Sequence, residues 1–149
     1  MATVQTGYSQ DFAAWAKHQA ALLKAGRWQE ADIENLVEEI ECMGKSEHRE
    51  LKSRMLVLVM HLLKWHKQPT LQSNSWRRTI VEQRAQIPYI LKDSPSLKAN
   101  LNAAEWLQDV WNTAVTAASK ETGIPKTAFP ENPIWTAAQI LDDDFYPEP

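Results

Sequence analysis

The sequence predicts an all-α fold, a single domain of five to six helices packed around one central apolar helix. Apolar residues recur every three or four positions through most of the 149 residues. No stretch shows sustained alternation with β-branched enrichment, so no sheet is expected. The segment Met55–Leu63 is apolar except for His61. A helix with so little polar surface should be enclosed on most sides, with His61 inside the core.

The composition fits one globular domain, residues 1–149, and does not indicate which kind of partner the protein binds. Apolar residues make up 44% of the chain, and most of the seven tryptophans are expected as core anchors. The net charge of −3 gives no global attraction to nucleic acid or anionic lipid.

The expected compartment is the cytoplasm. The one cysteine, Cys42, cannot form an intrachain disulfide, which fits a reducing environment. Met1–Asp11 lacks the basic and apolar regions of a secretion signal. The central apolar segment is shorter than the roughly 20 residues that a membrane span needs.

The first helix is predicted to begin at the N-cap Ser9 and to end before Gly26. Its inner stripe is expected to be formed by large or amide side chains at helical spacing, namely Phe12, Trp15, Gln19, Leu22 and Leu23.

The second helix is predicted to start after the cap residue Asp32. Its apolar stripe comprises Ile33, Leu36, Val37, Ile40 and Met43. Gly44 and Ser46 can end this helix and start the next, and the alternative is a single long helix kinked at Gly44. A third helix, from about Glu47 to Lys67, contains the central apolar segment and is stopped by Pro69.

The fourth helix should be capped by Asn74 or Ser75, and Pro88 should kink it or divide it near Gln86. Its inner stripe comprises Trp76, Ile80, Gln83, Ile87 and Leu91.

Ser94-Pro95 is typical of a helix start, so the fifth helix should run from there to about Thr122. Residues 128–149 form a proline-rich tail that is expected to wrap over the bundle. Thr136 can cap a short last helix in that tail through Leu141.

Several segments together resemble a family of small bacterial proteins catalogued as a domain of unknown function, the twenty-ninth of that series. They are Asp11–Trp15, Gly26–Trp28, Glu34–Gly44, His61–Trp65, Ser75–Ile80, Gln83–Arg84, Ser94–Leu97, Glu121–Gly123 and Phe129–Pro130. The resemblance implies an all-helical bacterial protein and carries no established activity.

An acidic stripe is the first candidate site. Glu34, Glu38 and Glu41 share one side of the second helix, and Arg77 and Arg84 share one side of the fourth. The favoured interpretation is an ion-pair ladder between helices or a solvated acidic flank. The alternative is a metal or anion site at the same seam.

His61 is the second candidate, as a metal ligand together with Glu38 or Glu41. No Glu-x-x-His or His-x-x-x-His pair is present in the sequence. We therefore favour a neutral histidine bonded to a backbone carbonyl or a carboxylate, and expect no metal or other cofactor.

The third candidate is a basic and aromatic cluster that could bind phosphates or stack bases. It comprises Lys64, Trp65, His66, Lys67, Trp76, Arg77, Arg78 and Arg84. Core tryptophans and an ordinary Arg78–Glu82 pair are the favoured alternative. Cys42 lacks any nucleophile motif, so a catalytic thiol is disfavoured.

The function favoured by these patterns is a non-enzymatic binding or regulatory module with a charged and aromatic groove for a protein partner. The predicted groove residues are Glu38, Glu41, His61, Trp65, Trp76, Arg77 and Arg84. In this hypothesis the arginines bind anions, the tryptophans give apolar contact and the glutamates hold the arginines in place. The alternatives are a nucleic-acid-binding protein and a metal-dependent enzyme, and a homodimer is also possible.

Overall fold

The computed structural model describes residues 7–149. Residues 1–6 lie outside that range, and so does most of the segment on which the expectation of no secretion signal rests. In residues 7–149 no helix is both long and apolar enough to cross a bilayer.

The described chain is built from α-helices and short 3₁₀ turns, with no strand between residues 7 and 149, so the all-α prediction is confirmed. The helices are α1 Phe12–Lys24, α2 Ile33–Lys67, α3 Asn74–Asp93, α4 Lys98–Leu101, α5 Ala104–Thr122 and α6 Ala137–Leu141. The 3₁₀ turns are Trp28–Glu30, Pro69–Leu71, Pro95–Leu97 and Lys126–Ala128.

The chain divides into two compact units, Met1–Lys45 and Ser46–Pro149. The expectation of a single domain stays a prediction. Helix α2 is continuous from Ile33 to Lys67, which decides between the two alternatives at Gly44 in favour of one long helix. Gly44 lies within that helix, and a Cβ added there would meet nothing within 4 Å, so no close approach requires a glycine at this position.

The first unit has a small interior built around Asp32. The indole N–H of Trp15 donates to the Asp32 carboxylate at 3.0 Å, and the Asp32 backbone N–H donates to Gln19 Oε1 at 2.7 Å. Asp32 also accepts from Asn35, which confirms it as the cap of α2. Trp15, Gln19 and Leu22 are buried.

Two details of α1 differ from the prediction. The cap is Asp11, which accepts from the Ala14 N–H, rather than Ser9. Phe12 and Leu23 were expected in the inner stripe, but both are exposed. Both lie at the edge of the stripe, and α1 buries only Trp15, Gln19 and Leu22, which do not cover them.

The second unit contains a large apolar core centred on α2. Met55, Leu58, Val59, Leu62 and Leu63 are fully buried, which confirms the central segment as core. Its other four residues, including His61, are half-buried. The remaining core comes from α3, α5 and the tail, through Ile80, Ile87, Val110, Trp111, Ala114, Ala118, Phe129, Trp135 and Ile140.

Helix α3 is capped by Ser73 through a bond from the Trp76 N–H, so neither predicted cap, Asn74 or Ser75, is the one used. The helix continues through Pro88 to Asp93, so the predicted division near Gln86 does not occur. Proline at that position costs the helical bond to the Arg84 carbonyl, but Ile87, Ile90 and Leu91 on both sides are buried, and this packing holds the helix together.

The predicted fifth helix is three elements rather than one. A 3₁₀ turn and the short α4 precede α5. The helical conformation is interrupted at Ala103, whose backbone is extended at φ −85° and ψ 117°. Helix α5 ends at Gly123, which adopts the left-handed conformation at φ 76° as a helix C-terminus requires.

The tail is held by its aromatic residues and by a capping box. The Trp111 indole donates to the Pro130 carbonyl at 2.8 Å. Thr136 caps α6 as predicted, with Gln139 completing the box. Residues of the tail therefore complete the core of the second unit.

Candidate functional site

Arg77 of α3 is stacked against two aromatic rings of the second unit. Its guanidinium carbon lies 5.0 Å from the centre of the Trp65 ring and 4.9 Å from that of Tyr146. The two ring centres are 5.0 Å apart. Of the predicted groove residues, Trp65 and Arg77 are thus brought together, although the Trp65 side chain is buried.

Arg84 is buried with 3% exposure and binds the tail. Its Nε donates to the Ile140 carbonyl at 2.9 Å, and Nη2 donates to the Phe145 carbonyl at 2.8 Å. Burial lowers the pKa of this guanidinium, which stays charged because its ordinary value is so high. The expectation that glutamates hold Arg84 is wrong, since backbone carbonyls hold it.

The contact made by His61 agrees with the favoured interpretation of a histidine bonded to a backbone carbonyl. Its Nδ1 lies 2.8 Å from the Val57 oxygen, one helical turn earlier. Burial lowers the pKa of the imidazole, so the neutral form with an Nδ1–H donor is favoured.

Lys64 of the same helix joins α2 to α5 and α3 through two polar contacts. Lys64 donates to Glu121 at 2.8 Å, and its ammonium lies 4.7 Å from the centre of the Trp76 ring. The ammonium lowers the pKa of Glu121 through its hydrogen bond. Trp76 is therefore next to Lys64, while Arg77 contacts Trp65.

No cluster of metal-binding side chains is found in the described part of the chain. No three His, Cys, Asp or Glu residues among residues 7–149 are grouped closely enough to bind a metal ion. Two clefts of about 530 and 520 Å³ lie beside the tail. The first has one lysine and one glutamate in its lining and the second has no charged residue there.

Glu38 and Glu41 belong to the first unit and are exposed on α2, as is Glu34. The ion pairs formed among the described residues are Arg27–Glu30, Arg54–Glu50 and Lys64–Glu121, none of which includes these three glutamates. Of the interpretations given to the acidic stripe, the solvated flank matches this arrangement. We call Glu34, Glu38 and Glu41 the acidic flank.

The apolar stripe of the same helical segment is exposed, against expectation. The exposed fractions are 54% for Ile33, 47% for Val37, 64% for Ile40 and 66% for Met43. Of the predicted stripe only Leu36 is half-buried. The first unit supplies just the few buried side chains around Trp15, so nothing within it covers this stripe.

Helix geometry puts the four exposed side chains on one surface. Their positions are four, three and three residues apart, which places them within about a third of the helix circumference. We call Ile33, Val37, Ile40 and Met43 the α2 apolar face. The acidic flank follows it along one side, since Glu41, Glu34 and Glu38 lie about 80, 100 and 140° away from Ile33 around the axis.

Exposed apolar side chains are concentrated in the first unit. Eleven large apolar side chains are exposed in residues 7–149, and seven of them lie between Phe12 and Met43. The other three of the seven are Phe12, Leu23 and Trp28, the last with 65% exposure. Single exposed apolar side chains are ordinary, whereas contiguous exposed apolar patches are typical of interaction surfaces.

Two features of these surfaces were missed at the sequence level. Tyr146 lies between Arg77 and Arg84, but it follows an acidic run in a proline-rich tail, and no spacing links it to α3. The exposure of the α2 apolar face was also missed. Its periodicity is the same whether the face packs inside the protein or against a partner.

Comparison with known proteins identifies the family and adds no activity. No curated protein and no solved structure matches the chain. The model of the family described as "Domain of unknown function DUF29" matches residues 8–146. That match covers nearly the whole sequence, and the chain belongs to the DUF29 family.

Proposed function

We propose that the protein is a non-enzymatic binding module that holds a helix of another protein against the α2 apolar face. The observation that carries the proposal is the exposure of Ile33, Val37, Ile40 and Met43 on a single helical surface. Burying such side chains against a partner gains roughly 25 cal/mol per Å² of apolar area.

The shape of this surface fits a helix as the occupant. The four side chains form a ridge about 15 Å long, since Ile33 and Met43 are ten residues apart. A helix of three to four turns can lay its own apolar residues alongside such a ridge, with contacts every three or four positions. The apolar area that these four side chains can bury against a partner is small for a stable complex, so the interaction should be weak and reversible.

A second copy of this chain is a poorer occupant than a different protein. Residues 28–44 contain six acids and no lysine or arginine. Two copies paired through this face would bring like charges together, with no cation from the segment to offset them. The homodimer is therefore not the arrangement that we propose.

The predicted groove of Glu38, Glu41, His61, Trp65, Trp76, Arg77 and Arg84 stays a hypothesis, but the contacts of its arginines favour it less than the α2 apolar face. Arg84 and Trp65 are buried, and Arg77 is already stacked on aromatic rings. Anion binding by Arg84 or base stacking on Trp65 would need surfaces that these two side chains use within the protein, whereas Arg77 is exposed. The contacts favour a structural role for Arg84 and Trp65 in fixing the tail.

The test uses a synthetic helix of about fourteen residues with leucines at helical spacing and an uncharged glutamine-rich remainder. We expect saturable binding, measured by calorimetry or anisotropy, which Ile40→Ser weakens by about fivefold or more. The matched control is Tyr89→Ser, which removes an exposed apolar side chain from α3. Absence of binding, or equal loss in both variants, would overturn the proposal.

A further inference from the structure

We infer that the partner helix is amphipathic and basic along one edge, with lysine or arginine residues that face the acidic flank of α2. This inference rests on the proposed function, because it adds the chemistry of the partner to the same surface. The geometry that carries it is the position of three unpaired carboxylates beside the α2 apolar face.

The acidic flank has no cationic partner of its own in the described chain. Neighbouring acids in the segment are already engaged: Glu30 pairs with Arg27, Asp32 caps α2, and Glu39 accepts from the Tyr8 hydroxyl. Glu34, Glu38 and Glu41 are exposed and take part in none of the ion pairs formed by residues 7–149.

Like charges four and three residues apart repel one another on a helix, so this arrangement costs some stability in the free protein. A cationic edge on the partner would remove that repulsion and add attraction. Anionic lipid would do the opposite, and a second copy would add further carboxylates. Charge complementarity therefore selects a basic peptide among the possible occupants.

The spacing also defines where the partner's cations should lie. The three carboxylates follow one side of the face, at intervals of four and three residues. Cations that match them must lie at similar intervals on one edge of the partner's apolar stripe, not on the surface opposite it. This requirement separates specific pairing from general attraction to an acidic protein.

The experiment compares four peptides that share one leucine stripe. One has three lysines along the matching edge, one has the same lysines on the back, one has glutamates along the edge, and one is the neutral glutamine peptide. The edge-lysine peptide should bind about tenfold more tightly than the back-lysine peptide at low salt, with the advantage shrinking as salt is added. The edge-glutamate peptide should bind weakest.

Variants of the protein locate the effect. The triple change E34Q/E38Q/E41Q should abolish the preference for edge lysines while leaving binding of the neutral peptide intact. The matched control, E82Q/E105Q/E131Q, removes the same charge from exposed glutamates of the second unit and should retain the preference. Far-UV circular dichroism checks that both triple variants keep their helicity.

The outcomes distinguish the two proposals. If the neutral peptide binds through Ile40 but the edge-lysine and back-lysine peptides bind equally, the basic edge is wrong and the docking function stands. If no peptide binds, both fail. If light scattering shows that the chain pairs with itself through this face, so that Ile40→Ser yields monomers, the occupant is a second copy and the inference is overturned.

Discussion

Arg84 illustrates how a single charged residue can join distant parts of this chain. Its guanidinium contacts the carbonyls of Ile140 and Phe145, which are 56 and 61 residues away in sequence. The arginine thus supplies donors to two backbone carbonyls, one of them at a buried contact and the other at a part-buried one. A charged donor also makes a stronger bond than a neutral one.

We expect Arg84→Met to lower the free energy of unfolding by about 2 kcal/mol, because the side chain keeps its bulk while one buried and one part-buried carbonyl lose their donors. Chemical denaturation followed by circular dichroism measures the change. Arg78→Met on the same helix is the control and should fall within about 0.5 kcal/mol of the parent, since Arg78 is exposed. Equal effects of the two changes would contradict the role assigned to Arg84.

His61 makes stability depend on pH. Burial lowers the pKa of its imidazole below the ordinary value of 6.5. As the pH falls through 6.5, the unfolded chain takes up a proton that the folded chain resists, so the free energy of unfolding falls. Above that pH this contribution to stability is fully present.

The predicted outcome is a loss of stability between pH 7.5 and 5 that is smaller in His61→Gln than in the parent protein. Denaturation midpoints across that range measure it, and NMR titration of the imidazole checks the pKa directly. A pH profile of stability that is identical in the parent protein and in His61→Gln would refute the assignment.

The sequence identified Arg84, Arg77 and His61 as residues of interest but could not give the partners of the arginines. Spacing along α3 shows which side chains share a surface. It contains no information about a carbonyl more than fifty residues away, because backbone oxygens are the same at every position. For His61 the predicted bond to a backbone carbonyl is found one turn away in the same helix, but the prediction that His61 lies inside the core is wrong, since it is half-buried.

Helix α2 shows how an element can continue through a residue that commonly ends one. Gly44 has a helical backbone and no side chain, and an added Cβ would meet nothing within 4 Å. The glycine therefore weakens the helix without serving a turn. Gly123 differs, because its φ of 76° is one that side chains disfavour.

Replacing Gly44 with alanine should raise the free energy of unfolding by about 0.5 to 1 kcal/mol, since alanine loses less backbone freedom in a helix. Replacing Gly123 with alanine should lower it by about 1 kcal/mol, because the left-handed turn after α5 becomes strained. Thermal and urea denaturation of both variants tests the pair. Stabilisation by both changes, or by neither, would conflict with this account of the two glycines.

Element boundaries were predictable where one strong local signal acts alone. Pro69 after α2, Gly123 after α5 and the Thr136 cap of α6 were all found as expected. The continuation of α3 through Pro88 and the helix break at Ala103 were not predicted, because packing rather than a local sequence signal decides both. Buried neighbours hold α3 together across the proline, and no glycine or proline marks the break before α5.

At the scale of the whole molecule, the apolar core is unevenly distributed between the two units. The large cluster of buried side chains begins at Leu51 and extends to Ile140, all in the second unit. The first unit buries Trp15, Gln19 and Leu22. Its local stability should be correspondingly low, since few buried apolar contacts oppose opening.

Native-state hydrogen exchange should therefore show faster exchange of the α1 amides than of those in α5 and in the Leu51–Lys67 part of α2. Exchange of α1 should also depend little on denaturant, as expected for a local opening rather than global unfolding. Mass spectrometry of peptide fragments gives the required resolution. Equal protection of α1 and α5 would show that the two units open together.

The exposure of Trp28 gives this protein a built-in optical signal. Six of the seven indoles are buried or half-buried, whereas Trp28 is 65% exposed and lies in the first unit. Its emission should be the most red-shifted of the seven and the most accessible to iodide quenching. The difference between the parent spectrum and that of Trp28→Phe isolates this one fluorophore, so events at the first unit can be followed without attaching a dye.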